Sequence, residues 1–408
     1  MKAARGIGLI VFGAWLLGAC QLASSPRRTS TPAEPTLGVR NTPTGEVFPS
    51  STPSPTSVPS PSPTPPTQSA PLPICNEETG ARREELTLAF AAEWDGDLEI
   101  YKIQADGSGL TQLTSQPSDE HDPAWSPDGR QLAYVERNNL QERLMVADSD
   151  GQQGRMLAPE ALGPIVYPTW SPAGDRIAFR NLEDLYVVDV ETGEALNLTE
   201  NTRPFPLELS FSADGSMLAF NAQSDVVQGV NNKLFVINAD GSGLREFALP
   251  GADSVRDPMW RPTESLILFQ GSGPIEGFEL YLASLDGTIK KLRGQATLGA
   301  FSPAWSPDGS MIAYIAYNGH TFDALHVLAA DEALDLVVLE TSGEAGAEPS
   351  IWRFFWAPDS RHIAYLLSEG PPATVVIDLY VLDVCDGTSV LVAEAVFSYS
   401  SVSWKPLP

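Results

Sequence analysis

Hydrophobic and polar residues alternate along most of the chain after its Pro-rich N-terminal part. Leu98 to Ile103 and Leu185 to Val190 are two of these runs, and Gly, Pro, Asp and Ser mark their ends. Alternation with a period of two over four to eight residues is typical of half-buried β-strands. Because helical periodicity is absent throughout, the pattern predicts an all-β domain of many short strands.

One phrase with an aromatic anchor recurs along this domain. Its clearest copy is Trp125-Ser126-Pro127-Asp128-Gly129, where Ser, Pro and Gly occupy the positions that a type I turn favours. The anchors are 45, 41, 49, 45, 51 and 48 residues apart, which is typical of propeller blades. The anchor aromatics are Trp125, Trp170, Phe211, Trp260, Trp305, Trp356 and Trp404.

The repeat count predicts a closed ring. The first unit lacks an inner strand, whereas Ser398 to Trp404 is an inner strand with nothing after it. If the C-terminal strand completes the first blade, no sheet edge is left open between the chain ends. We therefore predict a seven-bladed β-propeller of four-stranded antiparallel blades over residues 74–408. The second strands begin near Leu86, Gln131, Arg176, Met217, Leu266, Met311 and His362.

The Trp-Ser-Pro-Asp-Gly phrase, followed by Ile-Ala-Phe or Leu-Ala-Tyr, resembles the repeats of the TolB-like, WD-repeat-like β-propeller family. The resemblance covers about residues 86–406 and implies a propeller fold. It implies little about the ligand, because the motif consists of turn and core residues. The Tol-system member of that family carries an N-terminal α/β domain and six blades, whereas this chain has a Pro-rich segment and a seventh unit.

The N-terminus has the pattern of a secretion signal. Lys2 and Arg5 precede an apolar run from Ile7 to Leu17, which is short for a membrane span. The run ends in Leu17-Gly18-Ala19-Cys20, which resembles the lipobox of bacterial lipoproteins. We predict a signal peptide over residues 1–19 and a lipidated Cys20. The alternative is an ordinary signal peptide followed by an incidental cysteine.

Residues 20–73 are predicted to be a disordered tether. Of residues 21–73, 14 are Pro and 19 are Ser or Thr, so little apolar surface is present to offset the entropy of ordering. Such a segment lifts a folded domain away from the membrane. The expected location is therefore the extracytoplasmic face of the cell membrane, in the periplasm or on the cell surface, with the lipid as the only membrane contact.

Charge and cysteine content narrow the function further. The formal net charge of −27 disfavours nucleic acid as a partner, because it repels phosphates. Cys75 precedes the first strand and Cys385 lies in the last repeat. In an oxidising compartment this pair is predicted to form a disulfide that joins the two ends of the domain. Two unpaired cysteines are the alternative.

The two faces of the predicted ring differ in their loops. Turns between the first and second strands and between the third and fourth strands are short and repetitive, and they form the short-turn face. The remaining loops are long and varied and form the long-loop face, where recognition is expected. The candidate contacts on the long-loop face are His121, Arg137, Asn138, Arg203, Phe205, Arg256, Asp257, His320, Phe322, Trp352 and Arg353.

Signatures of catalysis are absent from the sequence. The chain contains no Gly-x-Ser-x-Gly elbow and no phosphate-binding loop, and its four histidines lack metal-ligand spacing. We expect no catalytic residues and no cofactor, although calcium in the channel stays an alternative. The sequence favours a monomeric binding module for a protein, peptide or glycan of the cell envelope. An extracellular lyase or hydrolase and a structural envelope lipoprotein are the alternatives.

Overall fold

The computed structural model describes Cys75 and most of the residues from 80 onwards. The predicted signal peptide, Cys20 and the tether all lie outside the described residues. In the described ranges, no helix has the length and apolar character needed to cross a membrane. The described ranges are 80–94, 96–138, 141–158, 164–181, 184–200, 205–223, 232–247, 254–272, 277–294, 299–317, 322–341, 349–369, 376–397 and 401–408.

Seven four-stranded antiparallel sheets make up the described domain, and each sheet is one blade. In every blade the strand that carries the anchor aromatic is the inner strand. The strands of the first four blades, from the inner strand outwards, are β28 (Ser403–Trp404), β1 (Thr87–Ala92), β2 (Glu99–Gln104) and β3 (Thr111–Gln112) in blade 1; β4 (Asp119–Trp125), β5 (Gln131–Asn138), β6 (Gln141–Asp148) and β7 (Arg155–Ala158) in blade 2; β8 (Val166–Trp170), β9 (Arg176–Arg180), β10 (Leu185–Asp189) and β11 (Ala195–Asn197) in blade 3; and β12 (Phe205–Phe211), β13 (Met217–Gln223), β14 (Asn232–Asn238) and β15 (Arg245–Phe247) in blade 4.

Blades 5 to 7 repeat this arrangement with consecutive strands. Their strands are β16 (Ser254–Trp260), β17 (Leu266–Ser272), β18 (Phe278–Ser284) and β19 (Ile289–Lys291) in blade 5; β20 (Ala300–Trp305), β21 (Met311–Tyr317), β22 (Phe322–Ala329) and β23 (Asp335–Glu340) in blade 6; and β24 (Ser350–Trp356), β25 (His362–Glu369), β26 (Val376–Asp383) and β27 (Ser389–Ala393) in blade 7. The only helical element in the described ranges is a 3-10 turn, Arg83–Glu85.

The C-terminal strand closes the ring. In the pairing of β28 with β1, Leu88 lies opposite Trp404, and the N–H of Lys405 donates to the carbonyl of Thr87 at 2.8 Å. Strand β28 also contacts the inner strands β4 and β24 of the blades on either side. The predicted seven-bladed propeller, completed in its first blade by the last strand, is therefore confirmed.

The repeated phrase builds the turn between the inner and second strands. Ser126 Oγ donates to Asp128 Oδ1 at 2.7 Å and accepts the N–H of Gln131 at 2.9 Å, while Gly129 adopts a φ of 66° that favours glycine. These bonds link residues of one turn, so each copy of the phrase specifies its own hairpin. The serine-to-strand hydrogen bond recurs at Ser171, Ser212 and Ser306.

The hydrophobic core is divided among the seven seams between neighbouring blades, with one cluster at each seam. The anchor tryptophans lie in these clusters; Trp170, for example, is 8% exposed and donates from Nε1 to the carbonyl of Ala124 in blade 2 at 2.9 Å. Burial of a large aromatic side chain stabilises each seam substantially. The anchors therefore join blades and are structural residues.

A disulfide ties the N-terminal segment to blade 7. Cys75 and Cys385 are bonded, with their Cα atoms 5.4 Å apart and 310 residues between them in sequence. Cys385 lies in the turn between β26 and β27, on the short-turn face. Nearby, Arg83 Nη2 donates to the carbonyl of Thr388 at 2.7 Å. The segment that precedes the first strand is therefore held at the short-turn face.

Candidate functional site

Most inner strands contain a β-bulge shortly before the anchor aromatic. The strand register shifts between Val166 and Thr169 and between Arg256 and Met259, among others. A bulge bends its strand and redirects a side chain. Four of the residues three positions before the anchors, Asp122, Tyr167, Asp257 and Ser302, have φ values between 49° and 55°. We call all seven equivalent positions the channel ring: Asp122, Tyr167, Glu208, Asp257, Ser302, Arg353 and Ser401.

Two residues of the channel ring meet across the centre of the propeller. The guanidinium carbon of Arg353 in blade 7 lies 5.6 Å from the ring centroid of Tyr167 in blade 3. These blades are separated by two others along the shorter path around the ring, so the side chains reach each other only through the central channel. Tyr167 is 38% exposed. Arg353 and Tyr167 therefore narrow the channel at its long-loop end.

Asp257 and Glu208 place two carboxyl groups beside this constriction. The N–H of Asp257 donates to Glu208 Oε2 at 3.4 Å. Burial, together with the negative charge of Glu208, raises the pKa of Asp257 to about 7, whereas the charges of Arg256 and Arg353 act in the opposite direction. Asp257 therefore changes charge near neutral pH.

Two further arginines flank the constriction. Arg180 lies at the end of β9, and its Nη1 donates to the carbonyl oxygen of Pro206 at 3.4 Å. Burial lowers the pKa of its guanidinium group. Its Nε is buried and has no hydrogen-bond partner. Arg256 lies over the ring of Phe278 at 5.2 Å. Among the described residues, no carboxylate lies within 4.0 Å of Arg180, Arg256 or Arg353, so these guanidinium groups are not engaged in ion pairs.

An aromatic cluster lies beside Arg256 at the seam between blades 5 and 6. The ring centroid of Phe301 lies 5.1 Å from that of Phe278, 5.0 Å from that of Phe322 and 6.1 Å from that of Tyr317. All four side chains are partly exposed. Arginine and partly exposed aromatic residues are enriched in protein–protein interfaces.

The structure brings several of the sequence-predicted contacts together. Arg256, Asp257 and Arg353 converge at the channel mouth, and Phe322 belongs to the aromatic cluster. Trp352 instead packs against the hydrophobic cluster between blades 7 and 1. The predicted contacts therefore include a channel group, which consists of Arg256, Asp257 and Arg353, and residues such as Trp352 that pack between blades.

The remaining predicted contacts do not join the channel group. His121 is 8% exposed, and its Nδ1 lies 3.2 Å from Asp122 Oδ2, which favours a structural role for this histidine. Arg137 forms an ion pair with Asp119 at 2.8 Å on the rim of blade 2, and Asn138 is exposed at the end of the same strand. Arg203, His320 and the side chain of Phe205 lie outside the described residues.

Sequence reasoning missed Tyr167, Arg180 and Glu208. Tyr167 and Glu208 occupy the same position relative to their anchors as Asp257 and Arg353, so an alignment of the inner strands in register would have identified them. Arg180 gave no such signal, because it belongs to the second strand of blade 3 and reaches the site only through the fold.

A buried carboxyl pair lies at the seam between blades 1 and 2. Glu99 and Glu120 are 3% and 1% exposed, and Glu120 Oε2 has no hydrogen-bond partner. Burial, together with the adjacent Glu99 carboxyl, raises the pKa of Glu120 to about 8, although Ser118 donates to Glu120 at 2.6 Å and opposes this shift.

In the part of the chain that the structure describes, no group of three or more His, Cys, Asp or Glu side chains has the geometry to hold a metal ion.

The fold and the channel group define a closed β-propeller with a polar channel mouth. Residues 141–205 match the family model of the dipeptidyl peptidase IV (DPP IV) N-terminal region. Protein TolB homolog from Chlorobium luteolum is 30% identical over 136 residues, which are 33% of this chain and 30% of that protein. Tol-Pal system protein TolB from Francisella tularensis subsp. holarctica is 23% identical over 288 residues, which are 67% of this chain and 63% of that protein.

A solved structure agrees with the fold. Oligogalacturonate lyase from Vibrio parahaemolyticus superimposes with a TM-score of 0.56 at 15% identity, over 76% of this chain and 85% of that chain. The chain spans less than two thirds of the length of both TolB relatives. Together with the repeated phrase and the ring of sheets, the TolB relatives support a TolB-like β-propeller fold for this chain.

Proposed function

We propose that this chain is an extracytoplasmic lipoprotein whose propeller binds a protein, peptide or glycan of the cell envelope on its long-loop face. The observation that carries this proposal is the cross-channel contact of Arg353 with Tyr167, beside Asp257 and Glu208. Charged side chains from non-neighbouring blades converge there, and within the described ranges the arginines among them have no carboxylate within 4.0 Å. The lipobox-like sequence and the relation to TolB support the location in the cell envelope.

The short-turn face offers a weaker case for recognition. Many of its Ser and Asp side chains are engaged in hydrogen bonds within their own turns, as in the pair Ser306 and Asp308 at 2.6 Å. The Cys75–Cys385 disulfide also holds the N-terminal segment on this side. Cys75 therefore lies on the side of the propeller opposite to the channel mouth.

Site-specific photo-crosslinking in the intact cell envelope tests the choice of face. Asn138 is the last residue of β5, and Arg130 immediately precedes the strand on the short-turn face; both are exposed. A photoreactive residue at position 138 is expected to give a discrete adduct, whereas the same residue at position 130 gives none. Adducts from position 130 alone, or no adduct from either position, would contradict the proposal.

The lipid anchor has a separate test. Cys20→Ser removes the thiol that would carry the lipid, so the variant should leave the membrane fraction and fail to incorporate a labelled fatty acid. The full chain with Cys20 intact is the control. A Cys20→Ser variant that still incorporates the label would show that the anchor has been assigned wrongly.

An extracellular lyase or hydrolase is the second candidate function, because one observation favours it. A carboxyl group that titrates near neutral pH, beside a tyrosine and an arginine, has the composition of a general acid–base site. Incubation with uronate oligosaccharides, followed by ultraviolet absorbance of an unsaturated product, tests the lyase form. Turnover that is lost in Asp257→Asn would favour catalysis over binding alone.

A further inference from the structure

The strongest unassigned feature of the molecule is the group of guanidinium charges at the channel mouth. The chain carries a net charge of −27, yet Arg180, Arg256 and Arg353 lie around one opening without an ion-paired carboxylate among the described residues. Guanidinium groups bind carboxylates through two parallel hydrogen bonds and retain their charge at any physiological pH. A cleft that concentrates one sign of charge also attracts the opposite charge from solution.

We propose that the channel mouth binds the C-terminal carboxylate of a peptide or protein segment inserted end-on, with Arg353 and Arg180 as its cationic partners. This inference rests on the proposed binding function and narrows it to one ligand chemistry. Arg353 supplies one charge, from the point where its side chain reaches across the channel to Tyr167. Arg180 supplies the second charge, and its buried Nε has no hydrogen-bond partner.

The geometry favours a chain end over an internal segment. The contact between Arg353 and Tyr167 at 5.6 Å narrows the channel, so a ligand that enters from the long-loop face meets a charged floor. A terminal carboxylate matches this floor, because it is the one anionic group that every protein chain carries at its tip. The partly exposed cluster around Phe301 lies beside Arg256 and is suited to an apolar side chain upstream of that tip.

The adjacent carboxyl groups are compatible with an anionic ligand. Glu208 already accepts the N–H of Asp257 at 3.4 Å. Because the pKa of Asp257 is raised to about 7, much of this side chain is protonated at neutral pH and is able to donate a hydrogen bond to a carboxylate. The negative charge of the Asp257 carboxyl, which would oppose an anionic ligand, is therefore only partly present at neutral pH.

The first experiment compares two forms of the same ligand on the unmodified protein. The full chain, purified in detergent, is applied to an array of short peptides with free C-terminal carboxylates and to a matching array of C-terminal carboxamides. The strongest binder and its carboxamide are then titrated by fluorescence anisotropy. We expect the carboxamide to bind at least about tenfold more weakly, because it lacks the charge-assisted hydrogen bonds. Equal binding of the two forms would overturn the proposal.

The second experiment uses matched variants on the same face. Arg353→Met and Arg180→Met remove the charge but keep much of the apolar length, whereas Arg137→Met removes an arginine that is already paired with Asp119 at 2.8 Å. We expect a loss of about tenfold or more in peptide affinity for the first two variants and less than about twofold for the control. Thermal melting verifies that each variant is folded.

The outcomes separate this inference from the proposed function. If the crosslinker at Asn138 captures a partner and Arg353→Met captures it equally well, the long-loop face binds but the carboxylate site is wrong. The same conclusion follows if uronate oligosaccharides bind the full chain and no free-carboxylate peptide does. If Asn138 gives no adduct, the proposed function itself is wrong.

Discussion

The two faces of the propeller differ in how far equivalent positions of the blades carry the same residue. On the short-turn face, Ser126 and Ser306 make the same hydrogen bond to the strand that follows, at 2.9 and 3.0 Å. On the long-loop side, the positions three residues before the anchors carry an acid, an aromatic, a serine or an arginine, as at Asp257, Tyr167 and Arg353. Positions that repeat from blade to blade thus belong to the structural turns, whereas positions that differ between blades form the candidate site.

The difference has a physical origin. A turn serine bonds within its own hairpin, so each of the units that carry it needs the same residue to make the same turn. A residue of the channel ring faces a shared central space, where its partners come from other blades. The contact of Arg353 with Tyr167 is the clearest example. Such positions are free to differ from one another and to combine into one site.

Removal of the closing strand should have the largest effect on the frame. Deletion of residues 399–408 removes β28 and with it the pairing of Trp404 with Leu88. An open ring exposes a sheet edge and two core faces, so we expect loss of cooperative unfolding of the whole domain. Circular dichroism melting checks this. A truncated chain that melts as late and as sharply as the parent would refute the closed ring.

The next largest effect is expected at an anchor. Trp305→Ala should destabilise the domain by about 3–5 kcal/mol, because it leaves a cavity at the seam between blades 5 and 6, where the side chain is 4% exposed. Trp94→Ala is the matched control, with a side chain that is 40% exposed and an expected cost of about 1 kcal/mol. Urea unfolding measures both, and equal losses would contradict the role of the anchor.

The buried carboxyl pair makes the frame sensitive to pH. Because the pKa of Glu120 is raised from 4.5 to about 8, the folded state holds this proton more tightly than the unfolded state. Its stabilising contribution is therefore complete below about pH 4.5 and is lost as the pH rises to about 8. Glu120→Gln should be more stable than the parent at about pH 9 and similar to it at about pH 4.

Urea unfolding of this variant at the two pH values measures the effect. Glu264→Gln is the control, because Glu264 is exposed and lies in a surface ion pair with Arg261 at 3.1 Å. A gain for Glu120→Gln of the same size at both pH values would show that the carboxyl pair is not the cause.

A smaller effect is expected within one turn. Ser306→Ala removes a hydrogen bond to Asp308 and the acceptor for the N–H of Met311, at a cost of about 1–2 kcal/mol. Ser149→Ala is the control on the same face, because Ser149 makes no side-chain hydrogen bond in the described part of the chain. Chemical denaturation measures the free energy of unfolding of both variants. Equal losses would contradict a structural role for Ser306.

Substitutions at the channel mouth should have the smallest effect on the stability of the domain, but they should change how peptide binding depends on pH. As the pH falls through about 7, Asp257 takes up a proton, and binding of a carboxylate peptide should tighten. The charged groups that act on Asp257 are Glu208 of β12, Arg256 of β16 and Arg353 of β24. Asp257→Asn should abolish this pH dependence, which anisotropy titrations across the range measure. Unchanged pH dependence in the variant would exclude Asp257 as its source.

The sequence predicted the fold in detail because each blade is encoded locally. The phrase around Trp305 contains the strand end, the turn and the next strand, so counting its copies was enough to predict the number of blades. Closure of the ring was also predictable. The inner strand at Trp404 is followed by no further strands of its own unit, and the unit at Leu88 has no inner strand of its own.

The candidate site was predictable only in part. Arg256, Asp257 and Arg353 were predicted from the sequence to lie on the long-loop face, because alternation and turn length assign each loop to a face. The burial of His121, with 8% exposure, was not visible in the sequence, because a loop position does not reveal how deeply a side chain packs. The position of Arg180 beside Glu208 depends on the approach of blade 4 to blade 3.

The sequence alone therefore determined the all-β class, the seven repeats, the residues of the seams and the face with varied loops, because hydrophobic periodicity and turn chemistry act over a few residues. The tertiary structure decided which side chains share the channel, which carboxyls are forced together and where the N-terminal segment is held. Those relations join residues that are distant in the chain, such as Tyr167 and Arg353, and they exist only once the ring has closed.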